Sequence, residues 1–185
     1  MLIDLLKKDV VVNQYFCAEC KENDISIEID NTINADDILI IKVDDYYNAN
    51  VPLNDRPKSP DCLIIQRCSE NSYSICIVEL KNIKNQDGFT VKGIEEKFIT
   101  CLDDFMSNRF AHYFHKNLFD YKNIKLYFIA DPYGFKESPE RQLKMRGHKL
   151  DLLIAIRIPK YFGKHLYIDN KLPNPKINNC KAIHV

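Results

Sequence analysis

Pro60-Asp61 and Glu79-Leu80-Lys81 are the residues of this chain whose types and spacing suit chemistry. Two carboxylates and a lysine brought together can assemble a divalent-metal site that hydrolyses phosphodiesters. Residues 61–67 (DCLIIQR) and 74–80 (SICIVEL) are apolar, β-branched runs on either side of a polar turn at residues 68–72, which predicts an antiparallel hairpin. A turn centred on Glu70 pairs Arg67 with Tyr73, Ile65 with Ile75, Leu63 with Ile77 and Asp61 with Glu79. Opposed residues on such a pair have Cβ atoms roughly 4.5–5.5 Å apart on one face, where two like charges destabilise unless a cation lies between them. Side chains alternate faces along a strand, so Lys81 shares the face of Glu79 and Leu80 points to the other.

The elements that must position this hairpin can be read from periodicity. Residues 2–16 read as an amphipathic helix weakened by the run Val10-Val11-Val12, and residues 25–29 (ISIEI) alternate like a strand. Residues 36–47 (DDILIIKVDDYY) fit a strand, a helix, or one running into the other, and residues 48–59, with Pro52 and Pro57, read as a loop. Val91, Ile94, Phe98, Leu102, Phe105 and Phe110 recur at helical spacing, predicting the longest helix over about residues 90–116. Residues 124–130 (IKLYFIA) form a strand that ends at the turn Asp131-Pro132-Tyr133-Gly134. Ser138 and Pro139 mark the start of a helix that runs to Arg146 before Gly147. Residues 150–158 (LDLLIAIRI) read as a buried strand, and residues 166–185, with Pro173, Pro175 and several Asn, as an irregular tail. Strands alternating with helices around a hairpin indicate a single α/β domain with a mixed sheet over residues 1–185, its core at about 25–158.

Composition narrows the class. The 185 residues are 45% apolar, with 10 Phe and 10 Tyr, enough for a sizeable core. No apolar run reaches membrane-spanning length, and the first residues (MLIDLLKKDV) are too short and too charged for a signal peptide, so a cytoplasmic protein without a membrane partner is expected. Seven cysteines, an odd number, are expected to stay reduced, with Cys62 and Cys76 packing as small hydrophobes. Cys17-x-x-Cys20 and His112-x-x-His115 are the only pairs with zinc-ligand spacing, and they lie far apart in the chain, so packing is the better reading of both. The net charge is zero, but Lys and Arg outnumber Asp and Glu by 11 to 4 over residues 136–185. Lys84, Lys97, Arg141, Lys144, Arg146 and Lys149 are candidate phosphate contacts, and a solvated helix face explains the basic run equally well. Glycine-rich phosphate loops and serine-nucleophile motifs are lacking.

Pro60-Asp61, the interval after it and Glu79-Leu80-Lys81 resemble the PD-(D/E)XK signature of the restriction-endonuclease-like superfamily, over roughly residues 25–158. The resemblance implies a restriction-endonuclease-like mixed sheet with an α-β-β-β-α-β core flanked by helices. It implies that Asp61 and Glu79 hold Mg²⁺ or Mn²⁺ together with the backbone carbonyl of Leu80, and that Lys81 orients the attacking water and balances charge at the phosphorus. A further carboxylate from an upstream helix is expected; Asp45 is favoured over Asp44 and Glu28 because its cluster lies close to the motif. The glutamine-plus-tyrosine motif of the RecB-like branch is not evident after Lys81, although Glu95 and Lys97 can face the site from the long helix. The implied activity is a metal-dependent DNA endonuclease, of restriction or defence type, dimeric if it cuts both strands. RNA cleavage by the same chemistry and a non-catalytic nuclease-fold subunit of a larger complex are the alternatives.

Overall fold

A computed structural model describes residues 1–83, 88–115, 119–131, 152 and 157–183. The chain opens with α1 (Leu2–Lys7), whose Leu2, Ile3 and Leu6 are buried, followed by a 3₁₀ turn at Val12–Tyr15. The helix expected over residues 2–16 therefore stops early. Asp9 Oδ1 accepts from the backbone N–H of Val11 and of Val12, both at 2.8 Å, and these local bonds replace the helical ones just where the β-branched run begins.

Short strands β1 (Lys21–Glu22), β2 (Ile25–Ser26) and β3 (Glu28–Ile29) follow, so the strand expected at residues 25–29 is split at Ile27. A 3₁₀ turn at Ala35–Asp37 leads into β4 (Ile38–Lys42), which runs directly into α2 (Val43–Asn50). The hairpin consists of β5 (Cys62–Arg67) and β6 (Ser72–Lys81). Next come α3 (Val91–Ile99), a π-helical stretch at Thr100–Arg109 and α4 (Ala111–Phe114). The buried pair Phe105 and Phe110 is separated by five residues, one more than an α-turn aligns; a wider turn, with Phe110 N–H donating to the Phe105 carbonyl at 3.0 Å, brings their rings to 4.7 Å. The remaining elements are β7 (Asp120–Ala130), β8 (Arg157–Tyr161), β9 (Lys164–Lys171), β10 (Lys176–Ile177) and a 3₁₀ turn at Cys180–Ile183.

Among the described residues six strands form a mixed sheet in the order β4-β5-β6-β7-β9-β8. β4, β5 and β6 are successively antiparallel, while β7 lies parallel to β6 after the helical crossover and β9 lies parallel to β7. This is an α/β protein. The tail is not irregular: His165, Leu166, Tyr167 and Ile168 alternate out and in, Leu166 and Ile168 being buried, and that period of two makes a strand. Leu152 is helical and exposed, so the strand expected from residue 150 begins at Arg157. The expected helix over residues 139–146 lies outside the described residues.

Alternation divides the sheet into two faces. Leu39, Ile41, Leu63, Ile65, Ile75, Ile77, Leu126 and Phe128 pack with the helices, including Phe98, Phe105 and Phe114. Ile40, Ile64, Cys76, Val78, Leu80 and Ile129 point the other way, where Cys20, Ile25 and Ile27 cover them. Two disulfides, Cys20–Cys62 and Cys68–Cys180, replace the reduced thiols expected at those positions. Cys62 lies on the second face, where the covering segment brings Cys20 to a Cα separation of 6.1 Å, within bridging range. Cys17, Cys76 and Cys101 remain free.

Candidate metal centre

The hairpin register is the expected one, from Arg67 opposite Tyr73 through Leu63 opposite Ile77 to Cys62 opposite Val78. Continued by one residue, it brings Asp61 to the level of Glu79 at the open end. Both residues, with Lys81, have the parity of Leu63 and Ile77 and so belong to the helix-bearing face. The Asp61 side chain closes the end of the ladder: its Oδ2 accepts from the Leu80 backbone N–H at 2.6 Å. Its own carbonyl accepts from Val43 N–H at 3.1 Å, which ties the junction of β4 and α2 to the same corner.

Glu79 is fully buried. Lys97, reaching down from α3, donates from Nζ to Glu79 Oε1 at 2.6 Å, while Oε2 is buried with no hydrogen-bond partner among the described residues. The placement of Lys97 follows from how α3 is anchored. Thr90 caps the helix by accepting from Gly93 N–H at 3.1 Å, where a Cβ on Gly93 would lie 2.7 Å from the Thr90 hydroxyl. Next to Lys97, Glu96 pairs at 2.6 Å with Lys58 in the Pro57–Pro60 segment that leads to Asp61.

The third acid at this corner is Asp44 rather than Asp45. β4 runs antiparallel to β5 with Lys42 opposite Cys62, so α2 begins beside Asp61. Asp44 Oδ1 is buried without a hydrogen-bond partner, whereas Asp45, one helical step further round, is exposed. Glu28 is excluded by topology, because β3 belongs to a separate two-stranded sheet with β10.

The corner disfavours charge on its carboxyl groups. Burial pushes the Glu79 carboxyl up to about 8; the negative charge of Asp61 adds to this, and Lys97 and Lys81 oppose it without prevailing. Burial likewise pushes Asp44 up to about 6, with Asp61 and Asp45 acting in the same direction. Unpaired carboxylate oxygens in a buried, like-charged group are costly, and a divalent cation is the species that would relieve them. The donor set is all hard oxygen, which suits Mg²⁺ or Mn²⁺. Among the described residues no three acidic, histidine or cysteine side chains converge as a ready-made ligand cluster. Leu80 N–H and Lys97 Nζ already occupy oxygens of Asp61 and Glu79 that a cation would take.

The other expected site residues divide as follows. Lys81 is half-buried at the end of β6 and acts electrostatically on Glu79. Lys97, expected as a phosphate contact, is instead the partner of Glu79. Lys84, Arg141, Lys144, Arg146 and Lys149 lie outside the described residues. The zinc alternative has lost a ligand, since Cys20 is bridged to Cys62; His112 and His115 contact the rings of Tyr113 and Phe162. Asp44 ranks below Asp45 in the sequence because the β4–β5 register is not visible there, and the pairing of Lys97 with Glu79 is missed because only packing fixes the height of α3 over the hairpin.

No helix among the described residues is long and apolar enough to cross a membrane. No family model, no curated protein and no solved structure matches the chain.

Proposed function

We propose that this protein is a divalent-metal-dependent nuclease of the PD-(D/E)XK, restriction-endonuclease-like type, acting on DNA. The observation that carries the reading is the buried, unpartnered Oε2 of Glu79 beside Asp61 and Asp44, on the same face as Lys81. In support, α1, β4, β5, β6, α3 and β7 follow one another in the sense of an α-β-β-β-α-β core, with β1, β2 and β3 inserted before β4 and α2 inserted between β4 and β5.

In this reading Asp61, Glu79 and the Leu80 carbonyl are the ligands, with Asp44 as the additional carboxylate. The chemistry that Mg²⁺ or Mn²⁺ held there would supply is a more acidic water and withdrawal of charge from the phosphate. Lys81 orients the nucleophilic water and neutralises charge that develops on the phosphoryl oxygens. The apolar strands and α3 hold these groups rigidly and limit competing water. A cut through both strands of a duplex requires two such sites, so a homodimer is part of the proposal.

The test is incubation with plasmid DNA and a matching RNA, each with Mg²⁺ or Mn²⁺. Metal-dependent cleavage that disappears in Asp61→Ala and Lys81→Ala is expected, and the preferred polymer decides between DNA and RNA. No cleavage of either polymer with any metal, or cleavage indifferent to both substitutions, overturns the reading. The Lys97–Glu79 ion pair favours one second reading, in which the fold survives as a non-catalytic assembly subunit with its acids satisfied internally. That reading requires that no Mn²⁺ binding depends on Asp61 or Glu79.

A further inference from the structure

Among the described residues Lys97 is the only basic side chain hydrogen-bonded to the buried acids of the corner, and its contact is with an oxygen the proposed metal needs. The Lys97 side chain is not sealed in. It retains 22% of its exposure while Glu79 retains none, so Lys97 can swing towards solvent and Glu79 cannot. The anchor that holds α3 in place, Lys58 to Glu96, does not involve Lys97 and would survive that swing.

We infer that Lys97 is an exchangeable counter-ion: it neutralises Glu79 in the metal-free protein, yields Oε1 when a divalent cation binds, and then offers its charge to the nucleic-acid phosphate at the same mouth. The inference rests on the nuclease reading and adds a regulation to it. A buried carboxylate stripped of both cation and ammonium is strongly disfavoured, so one positive partner is exchanged for another and the empty site stays folded. Metal and ammonium compete for the same oxygen, so Lys97 weakens metal binding to the free protein. A phosphate that captures the released ammonium relieves that competition, which couples metal binding to substrate binding.

The experiment is calorimetric titration of Mn²⁺ into the full chain, wild type against Lys97→Met, Glu79→Gln and the double variant, repeated with a phosphorothioate DNA duplex that resists cleavage. Lys97→Met is expected to bind Mn²⁺ about tenfold tighter than wild type, since a competitor for one ligand has been removed. In the Glu79→Gln background the same substitution should change nothing. The duplex should tighten Mn²⁺ binding to wild type by a factor that shrinks in Lys97→Met. Lys97→Met should also melt at lower temperature in chelator and gain more from Mn²⁺ than wild type does, a readout that serves even if the variant is marginally stable. If wild type binds Mn²⁺ and Lys97→Met binds it equally or more weakly, the exchange is refuted and the nuclease reading stands. If none of the variants nor wild type binds Mn²⁺, the nuclease reading fails and takes the exchange with it.

Discussion

The two ends of one hairpin carry charge in opposite ways. At the turn end, Arg67 sits among acids that match it: its guanidinium lies 3.3 Å from Asp4 and 3.6 Å from Asp37, and Lys181 pairs with Asp37 at 2.6 Å. The Cys68–Cys180 bridge closes the same corner, and the Tyr73 hydroxyl accepts from Leu2 N–H at 2.9 Å. At the open end the charge of Asp61 acts on both Glu79 and Asp44, and Lys97 and Lys81 oppose it at Glu79. One buried oxygen of each of Glu79 and Asp44 lacks a hydrogen bond among the described residues, as Arg67 Nε and Ser72 Oγ do at the turn end, where the unpartnered atoms are not acidic. A balanced, cross-linked cluster is what a fold uses to hold a corner. A buried excess of one sign destabilises the fold unless something else arrives, and it marks the end where a ligand belongs.

The largest expected effect tests whether the open end works and the turn end does not. Asp61→Ala should lower metal-dependent cleavage by about a thousandfold or more, because it removes a ligand and unties the Leu80 N–H. Arg67→Met should leave the rate per folded molecule unchanged. A comparable rate loss in Arg67→Met would erase the distinction between the ends.

Breaking the turn-end bridge should be a stability effect alone. Cys180→Ser, compared by denaturant melts with wild type, is expected to cost about 2–4 kcal/mol, since the bridge closes a long loop whose ends are 112 positions apart in the sequence. Its Mn²⁺ affinity should equal that of wild type. Arg67→Met should cost less, on the order of 1–3 kcal/mol, because it strands partly solvated acids rather than fully buried ones.

The smallest effect at any single step of pH is a slope, and its sign distinguishes the ends again. Glu79 and Asp44 have carboxyl groups raised above their ordinary range, to about 8 and about 6. Their protonated forms therefore stabilise the metal-free fold at low pH, and that contribution is lost as pH rises through the raised values. Metal-free protein should lose stability between about pH 4 and pH 8, by at most about 1.4 kcal/mol per pH unit for each group. Glu79→Gln should flatten the upper part of that slope. Thermal melts across the range check it, and a slope that rises with pH in wild type would remove the case for a corner that disfavours charge on its carboxyl groups.

Much of this could be read from the chain itself. The apolar runs around residues 68–72 specified the hairpin and its register, because a slip by one residue would turn every core side chain to the wrong face. That constraint brings Asp61 level with Glu79 and places Lys81 on the same side. The strand β9 was equally legible in the alternation of residues 165–168, but the prolines and asparagines that follow it drew the whole segment into an irregular reading. The π-helical stretch was hinted at by the five-residue step from Phe105 to Phe110, which a regular helix does not align.

Local pattern, then, determined which residues lie opposite one another on neighbouring strands, since a period of two is written into the sequence. Only the tertiary structure decided which residues from distant segments complete the corner. Asp44 reaches Asp61 because β4 docks antiparallel to β5, and Lys97 reaches Glu79 because Thr90 and Lys58 fix α3 above the sheet. The Cys20–Cys62 bridge likewise depends on a segment folding over the second face. Contacts of that kind depend on packing angles and loop paths that no periodicity encodes, and they determine whether two acids on a hairpin form a surface pair or a site that draws a cation.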